Sequence, residues 1–280
     1  EIAQCLVGSE MCIRDRNWSK VNKLWNEGDK PVTEYVLKTA YSANFVAKVG
    51  EPLGIFQVPA LATVQDENSP YYGKVIVDAN GIPTTSNSEM KTIGSSAPDF
   101  NMGFNTRVSY KGFTLSAVAD WRKGGYMYSY TAQLMHFVGN TTRSLFNNRE
   151  PFVVPNSVIA LKDGGYAENN RPVTSDNMSS YYSDSYSDSQ FENFIIPKGY
   201  VKLRELVLSY SFPKAWISKL GIQQLDLSLI GRNLFMWTPK ANNYVDPETT
   251  TFGNDIASEL GEFAALPSTR NIGGGIKVVF

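Results

Sequence analysis

Histidine occurs once in these 280 residues, as His136, and cysteine only twice, as Cys5 and Cys12. A single imidazole excludes any multi-histidine metal site. No G-x-S-x-G stretch accompanies it, so a Ser-His-Asp nucleophile arrangement lacks its motif. An excess of charge of one sign is missing too, with 26 Lys and Arg against 27 Asp and Glu. That balance gives no electrostatic case for nucleic acid or for an anionic membrane surface. Nowhere do 18 apolar residues run together, which excludes a transmembrane helix, and mean hydropathy is −0.25. A transmembrane barrel survives this test, because its strands alternate and its lumen and loops are polar. No catalytic constellation or cofactor motif is left, so neither an enzyme nor a cofactor is expected.

What the chain does have is aromatic residues, 15 Tyr, 15 Phe and 5 Trp, and strands of period two. Its last ten residues read N-I-G-G-G-I-K-V-V-F. Ile272, Gly274, Ile276, Val278 and Phe280 fall on one face and Asn271, Gly273, Gly275, Lys277 and Val279 on the other. Such alternation predicts a strand with one apolar face. The glycines are no phosphate loop, since no helix follows them. Phe100–Tyr110 and Phe113–Trp121 alternate likewise around the two-residue turn Lys111-Gly112, which predicts a tight hairpin. Phe100, Tyr110, Phe113 and Trp121 sit at the ends of its apolar faces, as an aromatic girdle would. Tyr200–Phe212 changes phase between Leu203 and Leu206, which a bulge near Glu205 would produce. Residues 213–224 make a short connection with helical character, closed by Gly221, and lead to a strand with Leu225, Leu227 and Leu229 on one face. Thr33–Ala47 reads as one more strand, followed by an irregular region to Asp99.

Connections alternate in length. They are short at 111–112 and 213–224, and long at 48–99, 122–199 and 236–270. Long structureless loops do not suit a compact soluble domain. Short turns on one side and long loops on the other are the plan of an outer-membrane barrel. The expectation is therefore all-β: the C-terminal part of a large antiparallel transmembrane barrel, about six strands of it, with long extracellular loops. Six strands close no barrel of useful size.

The segment Cys5–Arg16, C-L-V-G-S-E-M-C-I-R-D-R, resembles the in-frame translation of an adapter used in preparing DNA sequencing libraries. Residues 1–16 are read as non-native and set aside from the fold, leaving 17–280 as barrel and no cysteine chemistry to consider. On that reading the natural chain extends upstream.

Several linked motifs then carry a family likeness: Val49-Gly50-Glu51-Pro52-Leu53-Gly54, Ile93-Gly94-Ser95-Ser96-Ala97-Pro98-Asp99-Phe100 and Tyr110-Lys111-Gly112-Phe113. Further on come Tyr200-Val201-Lys202-Leu203-Arg204-Glu205-Leu206, Gly231-Arg232-Asn233-Leu234-Phe235 and Tyr244-Val245-Asp246-Pro247-Glu248. In this order they resemble SusC/RagA-type TonB-dependent outer-membrane transporters across roughly residues 17–280. The resemblance implies a 22-stranded barrel with an N-terminal plug, of which this is about the last quarter. It implies import of glycans or oligopeptides beneath a SusD-like surface lipoprotein, driven by the TonB complex through upstream segments. Phe280 would be the aromatic end of the signal read by the barrel assembly machinery, and the apolar strand faces would meet the lipid bilayer of a Gram-negative outer membrane. Two other readings stand beside it: a secreted β-sheet binding module of lectin or adhesin type, and a siderophore or cobalamin receptor.

Candidate residues follow from side-chain type. Tyr126, Tyr128, Tyr130, Tyr181 and Tyr182 (with Tyr186) offer large amphipathic area for a sugar ring or peptide. Arg107, Asp120, Asp226 and Lys277 lie on the polar strand faces and are expected to point into the lumen. The tract Asp176–Asp188 lacks the acid spacing of a calcium loop and reads as a mobile, solvated loop, and His136 reads as a loop residue.

Overall fold

The structure is a computed structural model that describes residues 9–13, 20–182, 188–242, 245–254 and 256–280. Among them, six antiparallel strands form one sheet: β1 (Ser9–Ile13), β2 (Phe100–Tyr110), β3 (Phe113–Lys123), β4 (Tyr200–Ser211), β5 (Gln224–Trp237) and β6 (Asn271–Val279), in that spatial order. Strands β2 to β5 run 11, 11, 12 and 14 residues, enough for a tilted crossing of a hydrocarbon layer.

The predicted hairpin β2–β3 is observed, paired from Phe113 with Tyr110 to Lys123 with Phe100. Its turn places Lys111 and Gly112 at φ of +46° and +87°, the left-handed pair that a two-residue turn of matching twist requires. A Cβ on Gly112 would also lie 2.8 Å from the Ser211 carbonyl oxygen. The register of β4 slips between Leu203 and Glu205 against β5. That bulge returns Leu206, Leu208 and Tyr210 to the face of Val201 and Leu203. Lys214–Ile217 and Ser218–Leu220 form the short helical connection, ended by Gly221 at φ +70°.

Register assembles the apolar positions into rows. Val108, Leu115, Leu208 and Leu229 stand side by side across four strands, and so do Tyr110, Phe113, Tyr210 and Leu227. Most of these side chains are exposed, Leu229 at 57% and Ile276 at 72%. The opposite face carries Arg107, Ser116, Asp120, Ser209, Ser228, Asp226 and Lys277. A sheet with its apolar face outward and its polar face inward is the inverse of a soluble domain.

The count of six agrees with expectation, but the membership differs. Thr33–Ala47 is no wall strand. It is a hairpin, Glu34–Ala40 with Ala43–Lys48, turning at Tyr41 with φ +53°. The hairpin joins Ile55–Leu61 and Thr85–Ser95 in a separate four-stranded sheet, so the region from 48 to 99 is more ordered than its punctuation suggests. The sixth wall strand is β1, which lies within the segment expected to be non-native and pairs with Met102–Thr106 of β2.

The long connection 122–199 also folds. It contains Tyr126–Ser129, the helix α1 (Tyr130–Phe137), the strand Ser157–Ala160 and the strand Ile195–Pro197. Phe45, Phe56, Val58, Tyr128, Phe191, Phe194, Ile195 and Leu260 make one buried cluster, so the loops build a core of their own. Gly261–Glu262 pairs in parallel with Tyr128–Ser129. A side chain on Gly261 would strike the Tyr128 backbone, so only glycine fits there.

Candidate functional site

The densest constellation of charge lies where the polar face of the sheet meets the connection 238–270. Lys202 of β4 is buried and reaches Asp246 Oδ1 at 2.6 Å and Glu248 Oε2 at 2.5 Å. Arg204, two residues along, donates to Asp120 Oδ2 of β3 at 2.7 Å and to both carboxylate oxygens of Glu248. Tyr200 donates its hydroxyl to Glu248 Oε1 at 2.6 Å, and Ser268 donates to Asp246 Oδ2 at 2.6 Å. Strand alternation puts Tyr200, Lys202 and Arg204 on one face. The backbone N–H of Glu248 donates to Asp246 Oδ1 at 3.0 Å, which turns both carboxylates toward that face.

This clasp ties the D-P-E stretch at 246–248 to the Y-V-K-L-R stretch of β4. Burial opposes ionisation of Glu248, but hydrogen bonds from Arg204, Lys202 and Tyr200 outweigh it and hold its carboxyl down at about 2. Asp246 is likewise held below the usual carboxylate range, its burial overcome by Lys202 and Ser268. Because each of the three carboxylates touches Lys202 or Arg204, the cluster is poised as a charge-assisted anchor rather than as an acid–base pair. A cleft of about 370 Å³ opens beside it, lined by Asn101, Gly103, Asp120, Arg122, Tyr200, Arg204 and Glu248.

A second carboxylate joins the loops to each other. Glu262 is fully buried and accepts from Ser129 Oγ at 2.5 Å and from Thr131 Oγ1 at 2.7 Å, at the start of α1. Ser129 caps the helix by accepting from the Ala132 N–H at 3.0 Å.

The candidate tyrosines divide. Tyr128 is enclosed in the loop core, and Tyr126 and Tyr130 pack against that core, with Tyr130 stacked on Tyr41 at 4.9 Å. Tyr181 and Tyr182 lie elsewhere, beside His136. Tyr186 falls outside the described residues, as do Asp184 and the rest of 183–187. The four charged candidates share the polar face of the sheet. Of these, Asp120 enters the clasp, Asp226 sits opposite Lys277, and Arg107 opposite Ser116. Phe280 is exposed beyond the end of β6. Among the described residues no cluster of His, Cys, Asp and Glu is arranged to hold a metal ion.

Lys202, Asp246, Glu248 and Glu262 are the site residues that single-residue reasoning missed. For the first three a signal existed, since they lie inside motifs already singled out. Nothing in the sequence announced that one motif binds the other. His136 corrects its expectation. It belongs to α1, is 2% exposed, and shares a 3.0 Å hydrogen bond between Nδ1 and Thr141 Oγ1. Burial, with Arg143 nearby, lowers its pKa to about 4, so it is neutral at pH 7.

No family model matches the sequence. Among curated proteins the chain is 25% identical over 226 residues to TonB-dependent receptor P3 of Formosa agariphila, covering 78% of this chain and 20% of that one. It is 24% identical over 207 residues to TonB-dependent receptor P26 of the same organism, covering 72% and 19%. Among solved structures it superposes on the RagAB peptide transporter with TM-score 0.54, 17% identity, and coverage of 89% of this chain and 24% of that one. The RagAB peptide importer in its open-open state gives TM-score 0.51 at 18% identity, with coverage of 89% and 24%. The chain thus spans about a fifth of the length of the curated relatives it matches. The resemblance is to TonB-dependent receptors in sequence and to the RagAB structures in all-β fold, and the relatives are receptors and transporters rather than enzymes.

Proposed function

We propose that this chain is part of the wall and the loop body of an outer-membrane active transporter that imports nutrients with TonB-delivered energy. The observation that carries the reading is the inverted sheet. Its apolar rows face outward, and its charged residues face inward and anchor the loops. A secreted lectin- or adhesin-like sandwich would bury those rows in a dry core; here Leu208, Leu229, Ile276 and Phe235 stay exposed. Lipid accounts for the same exposure without cost.

On this reading Arg107, Asp120, Asp226 and Lys277 solvate the lumen. Residues 17–280 are the barrel portion with its loops, and β1 pairs along Met102–Thr106 of β2. Phe280 presents the aromatic end recognised by the assembly machinery. The cargo class is oligopeptides or glycans, and a SusD-like surface lipoprotein covers the loops. The RagAB structures are of a peptide transporter, which supports peptides as the first cargo to try. Exposed or half-buried tyrosines such as Tyr126, Tyr130 and Tyr181 are the side chains available to touch it.

Fractionation of cells expressing the full natural protein tests the proposal. The protein should partition with outer membranes and need detergent to stay dispersed. Recovery in the aqueous fraction without detergent overturns the barrel reading. Growth of a deletion strain on defined oligopeptides and on glycans then separates the two cargo classes.

A further inference from the structure

The long connection 122–199 contains a cavity that the wall and the clasp do not explain. It is about 430 Å³ and is lined by His136, Thr142, Arg143, Leu145, Phe146, Tyr181, Tyr182 and Asn193. His136 is 2% exposed, and among the described residues its Nε2 has no hydrogen-bond partner although its Nδ1 is engaged by Thr141. A buried polar atom without a partner costs about 1–3 kcal/mol, so a fold that keeps one beside an open cavity favours a ligand that supplies the missing bond.

The rest of the lining specifies what that ligand carries. Leu145 and Phe146 are half exposed at 53% each, and Tyr181 and Tyr182 meet edge to face at 5.0 Å, so the walls favour an aromatic or branched apolar body. Among the described residues of this lining Arg143 is the cation; its guanidinium donates one N–H to Asn193 Oδ1, and a planar fork of five donors favours an anionic ligand over a cation. The neutral imidazole takes one further neutral partner, and an amide can serve as donor or acceptor toward it. An apolar body, an adjacent amide and a carboxylate together describe the C-terminal residue of a peptide.

We infer that this cavity is a binding site for the C-terminal residue of a short peptide, with His136 Nε2 meeting the amide, Arg143 the carboxylate, and the aromatic lining the side chain. The choice of a peptide rests on the transporter reading, whereas the lining lies in the loops and not on the sheet, so a protein that fractionates with outer membranes yet fails the test below overturns this inference alone.

Calorimetry on the full natural protein in detergent tests the assignment, with N-acetyl-L-phenylalanine as the probe. N-acetyl-L-phenylalaninamide, which lacks the carboxylate, and methyl glucuronide, which lacks the aromatic body and the amide, are the comparisons. The acid should bind saturably, and the amide at least tenfold more weakly. Arg143→Gln, an exposed substitution that leaves the core alone, should abolish that preference, while His136→Phe should weaken acid and amide alike. Absence of saturable binding by the acid overturns the inference. So does binding that Arg143→Gln leaves unchanged, and so does tighter binding of the glucuronide.

Discussion

The wall and the loop body obey opposite hydrophobic rules within one chain. In the wall, Leu229, Ile276 and Phe235 point away from protein and stay exposed; in the loop body, Phe45, Phe56 and Tyr128 are fully enclosed. Both are β-rich, so strand propensity does not separate them. On the proposed transporter reading the surrounding medium does, lipid for the one and protein for the other. The clasp on Lys202 joins them through buried charge.

Breaking the junction should have the largest effect. Lys202→Met leaves Asp246, itself buried, without its cation, and loss of one partner of a buried pair costs about 3–5 kcal/mol. Proteolysis should then cut 238–270 far faster, whereas Lys202→Met combined with Asp246→Leu should recover much of the protection. An effect of similar size is expected inside the loop body. Phe45→Ala removes a ring packed on Phe56 at 5.0 Å, at about 3–5 kcal/mol, read by denaturant unfolding of the full natural chain.

Leu229→Arg tests the contrast directly. In lipid vesicles an arginine on an outward wall position costs about 2–4 kcal/mol at the midplane. If that face met water the change would be close to neutral, and equality of the variant with wild type in vesicles would sink the comparison.

Acid should separate the two regions by window. The pKa of His136 is lowered from 6.5 to about 4, so the unfolded chain binds a proton there before the folded one does. Its contribution is complete above pH 6.5 and lost as pH falls toward 4. Glu248, lowered from 4.5 to about 2, contributes fully above pH 4.5 and loses its share only as pH falls toward 2. Hydrogen exchange at pH 5 should therefore show α1 loosened while 246–249 stays protected. The smallest effect belongs to the exposed cross-strand pair of Arg232 with Glu205, 2.9 Å apart. Arg232→Ala should change stability by less than about 1 kcal/mol.

The wall was legible because a period of two needs no knowledge of the rest of the chain. The hairpin at 100–121, the bulge near Glu205 and the terminal strand all follow from local alternation and turn chemistry. The loop body was not legible. Thr33–Ala47 carries no glycine, asparagine-glycine or proline at its reversal, and Tyr41 takes the positive φ instead. Tertiary packing imposed that turn against local preference. His136 read as a loop residue, whereas the structure places it in α1 and rings far along the chain, Phe194 and Tyr182, pack on it.

The sequence by itself therefore determined five of the six strands of the sheet, which face of each of those strands is apolar, and the family it resembles. Only the tertiary structure decided that the loops enclose a core, that one motif clasps another through Lys202, Asp246 and Glu248, and that His136 faces a cavity with a nitrogen to spare. Alternation is a property of neighbours and can be read along the chain. Pairing of a buried charge depends on residues 44 apart meeting in space, and no local pattern encodes that.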